Sequence, residues 1–382
     1  MTYYIKAKKI FLENREVTDA YLEITDGFFG KVVKEVSPDA QVVDYGDNYI
    51  IPGLVDTHIH GFNNFDVMDN SVESINEISK GILSCGVTSF LPTTLTASFD
   101  ELNDVAKTIS QCLTTIKGAK IQGIFFEGPY FTEKHKGAQN PSYFKDPSLN
   151  EFNEWQASAN GLIKKIAIAP EREQANEFTQ DLVSKGVAVA LAHSDATYDQ
   201  AQSVVDAGAT IFVHTFNGMS GLNHRDPGMV GCAMYNKNTV SELICDGHHV
   251  HPVAADILIN TKTTKNIALI TDCMRAGGMV DGHYFLGEFP VKVENGAARL
   301  ESNGSLAGSV LHLIDGVKNV VDWDITTLTE AIKMGSEIPA KSVGIFDKCG
   351  SIRQGKAADF LVITPEIKLL ETYIDGKSVY KK

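Results

Sequence analysis

Apolar and polar residues alternate through the first fifty positions, in "YYIKAKKIFL", "DAYLEITDGFFGKVVKEV" and "AQVVDYGDNYII". A period of two places the apolar residues on one face of a half-buried strand. Turn formers at Asp26-Gly27 and Gly46-Asp47 separate the runs. The closing stretch, "GSIRQGKAADFLVITPEIKLLETYIDGKSVYKK", returns to the same pattern. The spacing predicts one small β-sandwich module built from both termini, residues 1–50 and 345–382.

Residues 51–344 follow another rule. Short apolar runs rich in β-branched residues alternate with helical stretches, as in a parallel sheet with crossover helices. The candidate strands are "IIPGLVDTHIH", "VTSFLPTT", "KIQGIFFEGP", "IKKIAIAPE", "VAVALAHSD", "ATIFVHTFN", "VSELICDGHH" and "NIALITDC". Helices are expected at "SVESINEISKGILSCG", ending at Gly86, at "FDELNDVAKTISQCL" and at "TYDQAQSVVDAGA". Eight strands with helical crossovers make a (β/α)8 barrel the expected fold of this central domain. The competing open, doubly wound sheet lacks the G-x-G-x-x-G turn that usually follows its first strand.

Charge and cysteine usage narrow the class. With a formal net charge of −14, the chain is a poor partner for nucleic acid or an anionic membrane, and an anionic ligand would need a local cation. Six cysteines are scattered without C-x-x-C spacing. That argues against a disulfide framework or zinc ribbon and fits reduced thiols in a cytoplasm. The N-terminal "MTYYIKAKKIF" has no apolar core of signal-peptide length, and no run is long enough to span a bilayer.

The strand ends carry the chemistry. In a barrel of this kind the active site gathers at the C-terminal ends of the strands. Strand one ends in His58 and His60, which an extended backbone points to the same side. Strand three ends in Glu127, strand five in His193, strand six in His214 and strand eight in Asp272. Each has an ordinary alternative: a hydrogen-bonded core histidine, a turn-capping glutamate, an aspartate capping the next segment. Those alternatives would have to put all six at the same end independently. Imidazoles and carboxylates together suit a divalent cation. Such a cation makes hydroxide available near neutral pH, and a neighbouring carboxylate can take up and return the proton. Asp272 is the candidate for that role, and metal-assisted hydrolysis of a C–N or C–O bond is the expected reaction class.

The segments "PGLVDTHIHG", "EGPY", "HSDATYDQA", "HTFNGM", "DGHHVH" and "ITDCM" resemble the amidohydrolase superfamily and, within it, the N-acetylglucosamine-6-phosphate deacetylase family. The resemblance runs over essentially the whole chain. It implies a cytoplasmic, homodimeric enzyme that deacetylates N-acetyl-D-glucosamine 6-phosphate to D-glucosamine 6-phosphate and acetate. It also implies one or two divalent ions per subunit, drawn from zinc, iron, manganese or cobalt. Glu127, His193 and His214 would bind the main ion, and His58 and His60 would supply a second position. Asp272 would be the general base and then the general acid. Asn217 and Gly218 would contact the sugar phosphate, Arg225 would pair with the phosphate, and His249 would help to bind the substrate. Ala138, Gln139, Leu306, Ala307 and Gly308 would line the sugar site. Some family members carry histidine where this chain has Gln139, and a neutral amide cannot take up a proton there.

Two rivals stay open on sequence alone. A cyclic-amide hydrolase often bridges two metals with a carboxylated lysine at the end of strand four. Here that end reads "IAIAPERE", with Glu171, while Lys164 and Lys165 lie at its start. A non-catalytic metal- or sugar-phosphate-binding protein would have no need of Asp272 as a proton shuttle.

Overall fold

The computed structural model describes residues 2–382. Eight parallel strands form the barrel: Leu54–Ile59, Val87–Thr94, Ile124–Tyr130, Ile163–Ile168, Ala188–Leu191, Ile211–Phe212, Val240–Leu243 and Ile267–Leu269. Each hydrogen-bonds to the next in chain order. Helices cover the outer faces, so both faces are buried and the strands read as apolar runs. Caps start these helices where expected. Ser98 and Glu101 form a reciprocal capping box at Phe99–Cys112, as Thr197 and Gln200 do at Tyr198–Asp206. The expected helix up to Gly86 is an α-helix, Val72–Gly81, followed by a 3-10 turn, Ile82–Cys85. Gly86 ends it at φ 78°, a conformation that favours glycine.

The seam between the last and first strands is closed by backbone and by one buried carboxylate. The Asp272 N–H donates to the His58 carbonyl at 2.9 Å, and the His60 N–H to the Cys273 carbonyl at 2.8 Å. Asp56, fully buried, accepts from the Thr271 hydroxyl at 2.6 Å, the Thr271 N–H at 3.4 Å and the His58 N–H at 3.2 Å. The aspartate just ahead of the histidine pair therefore ties strand one to strand eight.

Both termini enter one sheet. Tyr49–Pro52 lies between Thr2–Phe11, with which it is parallel, and Phe360–Ile363, with which it is antiparallel. The run "IIPGLVDTHIH" thus divides at Gly53, its first part belonging to the terminal sheet and the rest to the barrel. The sheet curls until Phe28 bridges Ala357, enclosing Ile5, Ile10, Leu22, Phe29 and Phe360. A further element was not expected. After the eighth strand the chain makes a three-stranded meander, Gly282–Leu286, Phe289–Glu294 and Ala297–Leu300. Its apolar face packs on Leu95 and Met274, beside the C-terminal mouth of the barrel. Among the described residues no helix is long and apolar enough to cross a membrane.

Because Asp56 satisfies three donors across the seam, Asp56→Ala strands all three in the interior. We expect a loss of about 3 kcal/mol in unfolding free energy, measured by denaturant titration of the chelated protein.

Candidate metal centre and its cavity

The six residues read from the strand ends converge, and all are buried. They form two groups, His58/His60/Asp272 and Glu127/His193/His214, joined by Glu127. Its Oε1 lies 3.3 Å from Nε2 of both His193 and His214, and its Oε2 3.3 Å from His60 Nε2. Asp272 Oδ1 is 3.3 Å from His58 Nε2 and 3.2 Å from His60 Nε2. The two Nε2 atoms within each histidine pair are 3.3 Å apart.

The outer ring nitrogens decide the tautomers. Nδ1 of His60 faces the Thr93 carbonyl at 3.1 Å, that of His193 the His135 carbonyl at 2.9 Å, and that of His214 the Asn217 carbonyl at 3.0 Å. A carbonyl only accepts, so Nδ1 carries the proton and each neutral ring aims a bare Nε2 lone pair inward. Acceptors packed against acceptors and carboxylates need positive charge between them. The donor set fits a divalent cation.

Without a cation, protons take its place. Burial pushes the pKa of His58 and His60 down, but Asp272 and Glu127 outweigh it and lift them to about 9 and about 10. Burial would raise Asp272, yet His58 and His60 bring it to about 2. Glu127 is held well below its usual range against the pull of burial, by His58, His193 and His214. His214 is lowered, chiefly by burial.

Three of the six residues occupy the left-handed backbone region: His193 (φ 43°), His214 (φ 31°) and Asp272 (φ 50°). Non-glycine residues rarely sit there, and each such site costs roughly 1–3 kcal/mol. The barrel imposes that conformation where the chain turns off the strand ends and must aim a side chain inward. Gly218 supports it. Its φ is +62°, and a Cβ would stand 2.9 Å from His193 Nδ1.

Above the cluster lies a cavity of about 420 Å³, within the range of small-molecule sites. Ala138, Gln139, Asn217, Gly218, His249, Leu306, Ala307 and Gly308 all line it, together with every metal-centre residue except His58. His249 is oriented by Asp246, Nδ1 to Oδ2 2.6 Å. Gln139 differs from expectation in one respect. Its amide donates to Glu127 Oε2 at 2.7 Å and accepts from the Thr96 N–H at 2.8 Å, so both ends are engaged in holding Glu127. Arg225 is exposed on the loop after Gly221 and is absent from the cavity lining. Arg299, on the last strand of the meander, does line it. The sequence reading missed Arg299 along with the meander; the alternation "VKVENGAARL" was the available signal.

Lys165, raised by the cyclic-amide rival, is buried in the barrel core, where it pairs with Glu242, and it belongs to neither ligand group. The sequence pattern of the Amidohydrolase family matches residues 49–379. The chain belongs to the amidohydrolase family. Among amidohydrolase relatives, an N-acetylglucosamine-6-phosphate deacetylase of Vibrio furnissii is 39% identical over 342 residues, covering 89% of this chain and 85% of the relative. An N-acetylgalactosamine-6-phosphate deacetylase of Escherichia coli O157:H7 is 36% identical over 379 residues, 99% of each chain. In structure, an aspartate-to-alanine mutant of the Mycobacterium smegmatis N-acetyl-D-glucosamine-6-phosphate deacetylase, in complex with N-acetyl-D-glucosamine 6-phosphate, superposes over 100% of both chains with a TM-score of 0.93 at 26% identity.

A cation entering the centre must displace the protons that His58 and His60 hold up to about pH 9 and 10. Proton and metal compete, so zinc affinity should rise with pH through the neutral range and level off near those values. Titration calorimetry in buffers of different ionisation enthalpy reads the released protons. Glu127→Gln, which touches both groups, should weaken zinc binding by at least about tenfold, measured as metal per chain after dialysis.

Proposed function

We propose that this amidohydrolase removes the acetyl group of N-acetyl-D-glucosamine 6-phosphate, giving D-glucosamine 6-phosphate and acetate. The observation that carries the proposal is Asp272. It is an ionised carboxylate facing the cavity, 3.2 and 3.3 Å from two inward-pointing imidazole nitrogens, in a chain that matches deacetylase relatives over most of their length.

Glu127, His193 and His214 would hold one ion, and His58, His60 and Asp272 a second position. Zinc, iron, manganese or cobalt bound there would polarise the acetamide carbonyl and lower the pKa of water from near 16 to roughly 7. Asp272 accepts a proton as the water oxygen bonds to the acetyl carbon. It returns that proton to the nitrogen as the tetrahedral intermediate collapses and the C–N bond breaks. The second proton of the water stays on the new carboxyl group and passes to the amine, so the products leave as the ammonium sugar and acetate, with atoms and charge balanced. Gln139 holds Glu127 in place. Ala138, Leu306, Ala307 and Gly308 pack the sugar, while Asn217, Gly218 and His249 orient it. Arg299 supplies the local cation for the phosphate from within this chain, since a guanidinium can pair two phosphate oxygens. Arg225 and the exposed Leu222 belong to a loop that a second copy would cover, in the homodimer that the sequence resemblance implies. A cytoplasmic location is part of the proposal, supported by six buried, unpaired cysteines.

The galacto epimer is the second reading, favoured by the 99% mutual coverage with the galactosamine-type relative. Acetate release from both 6-phosphorylated epimers and from unphosphorylated N-acetylglucosamine separates the two. We expect turnover of a phosphorylated sugar to stop on chelation and return with added metal. Asp272→Asn should lower kcat by about 10²–10⁴-fold. Turnover indifferent to both treatments refutes the mechanism.

A further inference from the structure

Beneath the metal centre the barrel core is charged. Lys165 on the fourth strand and Glu242 on the seventh are both fully buried and joined in an ion pair. The Lys165 ammonium lies 3.7 Å from the centre of the Phe125 ring and 3.5 Å from the Thr57 carbonyl. Glu242 Oε1 also accepts from the Thr57 hydroxyl at 3.3 Å. Its other oxygen, Oε2, has no hydrogen-bond partner among the described residues, and neither does Nδ1 of His58. Those two orphaned atoms face each other across 3.5 Å.

Barrel interiors are ordinarily filled by branched aliphatic side chains. A buried ion pair is commonly no more stabilising than apolar groups of the same volume, so stability does not account for this one. The other three histidines of the centre rest Nδ1 on a carbonyl; His58 meets a carboxylate. We propose that Glu242 is a positioning residue for the metal centre, holding the Nδ1 proton of His58 so that Nε2 points at the cation, with Lys165 keeping Glu242 ionised in the core. An anionic partner makes an imidazole a more basic ligand than a carbonyl partner does. The pair in the core thereby raises the affinity of the His58/His60/Asp272 position and sets whether that position fills. The proposal rests on the metal reading of the cluster and is independent of the sugar assigned above.

The test is zinc titration of the chelated full-length protein, followed by calorimetry and metal analysis without any substrate. Wild type should take up two ions. Glu242→Gln should weaken one of them by about 10–100-fold and leave the other unchanged. The double variant Lys165→Met/Glu242→Gln, which leaves no unpaired charge in the core, should show the same selective loss, with an apo melting temperature confirming that it folds. In a His58→Ala background, which already lacks that ion, the double variant should change nothing further; a merely structural role for the pair would lower affinity there too. Wild-type affinity for both ions in the double variant, equal weakening of both, an additive effect on His58→Ala, or a wild type binding one ion regardless of His58 each overturns the proposal. Failure of the deacetylase reading would appear only in acetate release, so the two are distinguishable.

Discussion

The structure depends on a crowd of hydrogen-bond acceptors held together in the interior. Four imidazole nitrogens and two carboxylates stand 3.2 to 3.5 Å from their neighbours in the cluster, buried from water. Left to themselves such groups repel, and each would be costly to bury unpaired. Positive charge at their centre reverses the sign of every one of these contacts. In the ion-free protein two protons do this, on His58 and His60; a divalent cation would do it with the same total charge. Glu127 is the member that both groups share, and Gln139 fixes its orientation.

The barrel holds these acceptors in place against their repulsion. Its strand ends deliver His58, His60, Glu127, His193, His214 and Asp272 to one point, and the hydrogen bonds across the seam keep the first and last strands in register beside them. The left-handed backbone at His193, His214 and Asp272 is strain that the surrounding packing supports. Glu242 and Lys165 extend the same logic a layer deeper, where charge replaces the aliphatic filling of the core.

Much of this was legible in the sequence, for a physical reason. Parallel strands buried on both faces stand out as apolar runs, and a polar residue closing such a run has few reasons to be there; six of them pointed to one mouth. Elements that break the rhythm were harder to see. The meander follows the eighth strand where a helix was due, so its period of two was overlooked, and Arg299 with it. Lys165 was read only as lying at the start of the fourth strand and Glu242 was not singled out, because alternation along one strand does not reveal what faces it across a closed barrel. Gln139 was expected to line a sugar site, and only the folded chain shows its amide committed to Glu127 and Thr96. Arg225 was expected to pair with a phosphate, and the fold leaves it exposed outside this chain's cavity lining.

The meander has a consequence of its own. The ligands sit on the strand ends, whereas Leu286, Arg299 and the adjoining Leu306 wall come from a hairpin-like excursion packed on the barrel rim. Changing the length or side chains of that excursion would reshape the chamber above the six-residue cluster and leave the cluster itself intact. The wall of the chamber and the polar cluster at its floor thus belong to parts that evolution can exchange separately.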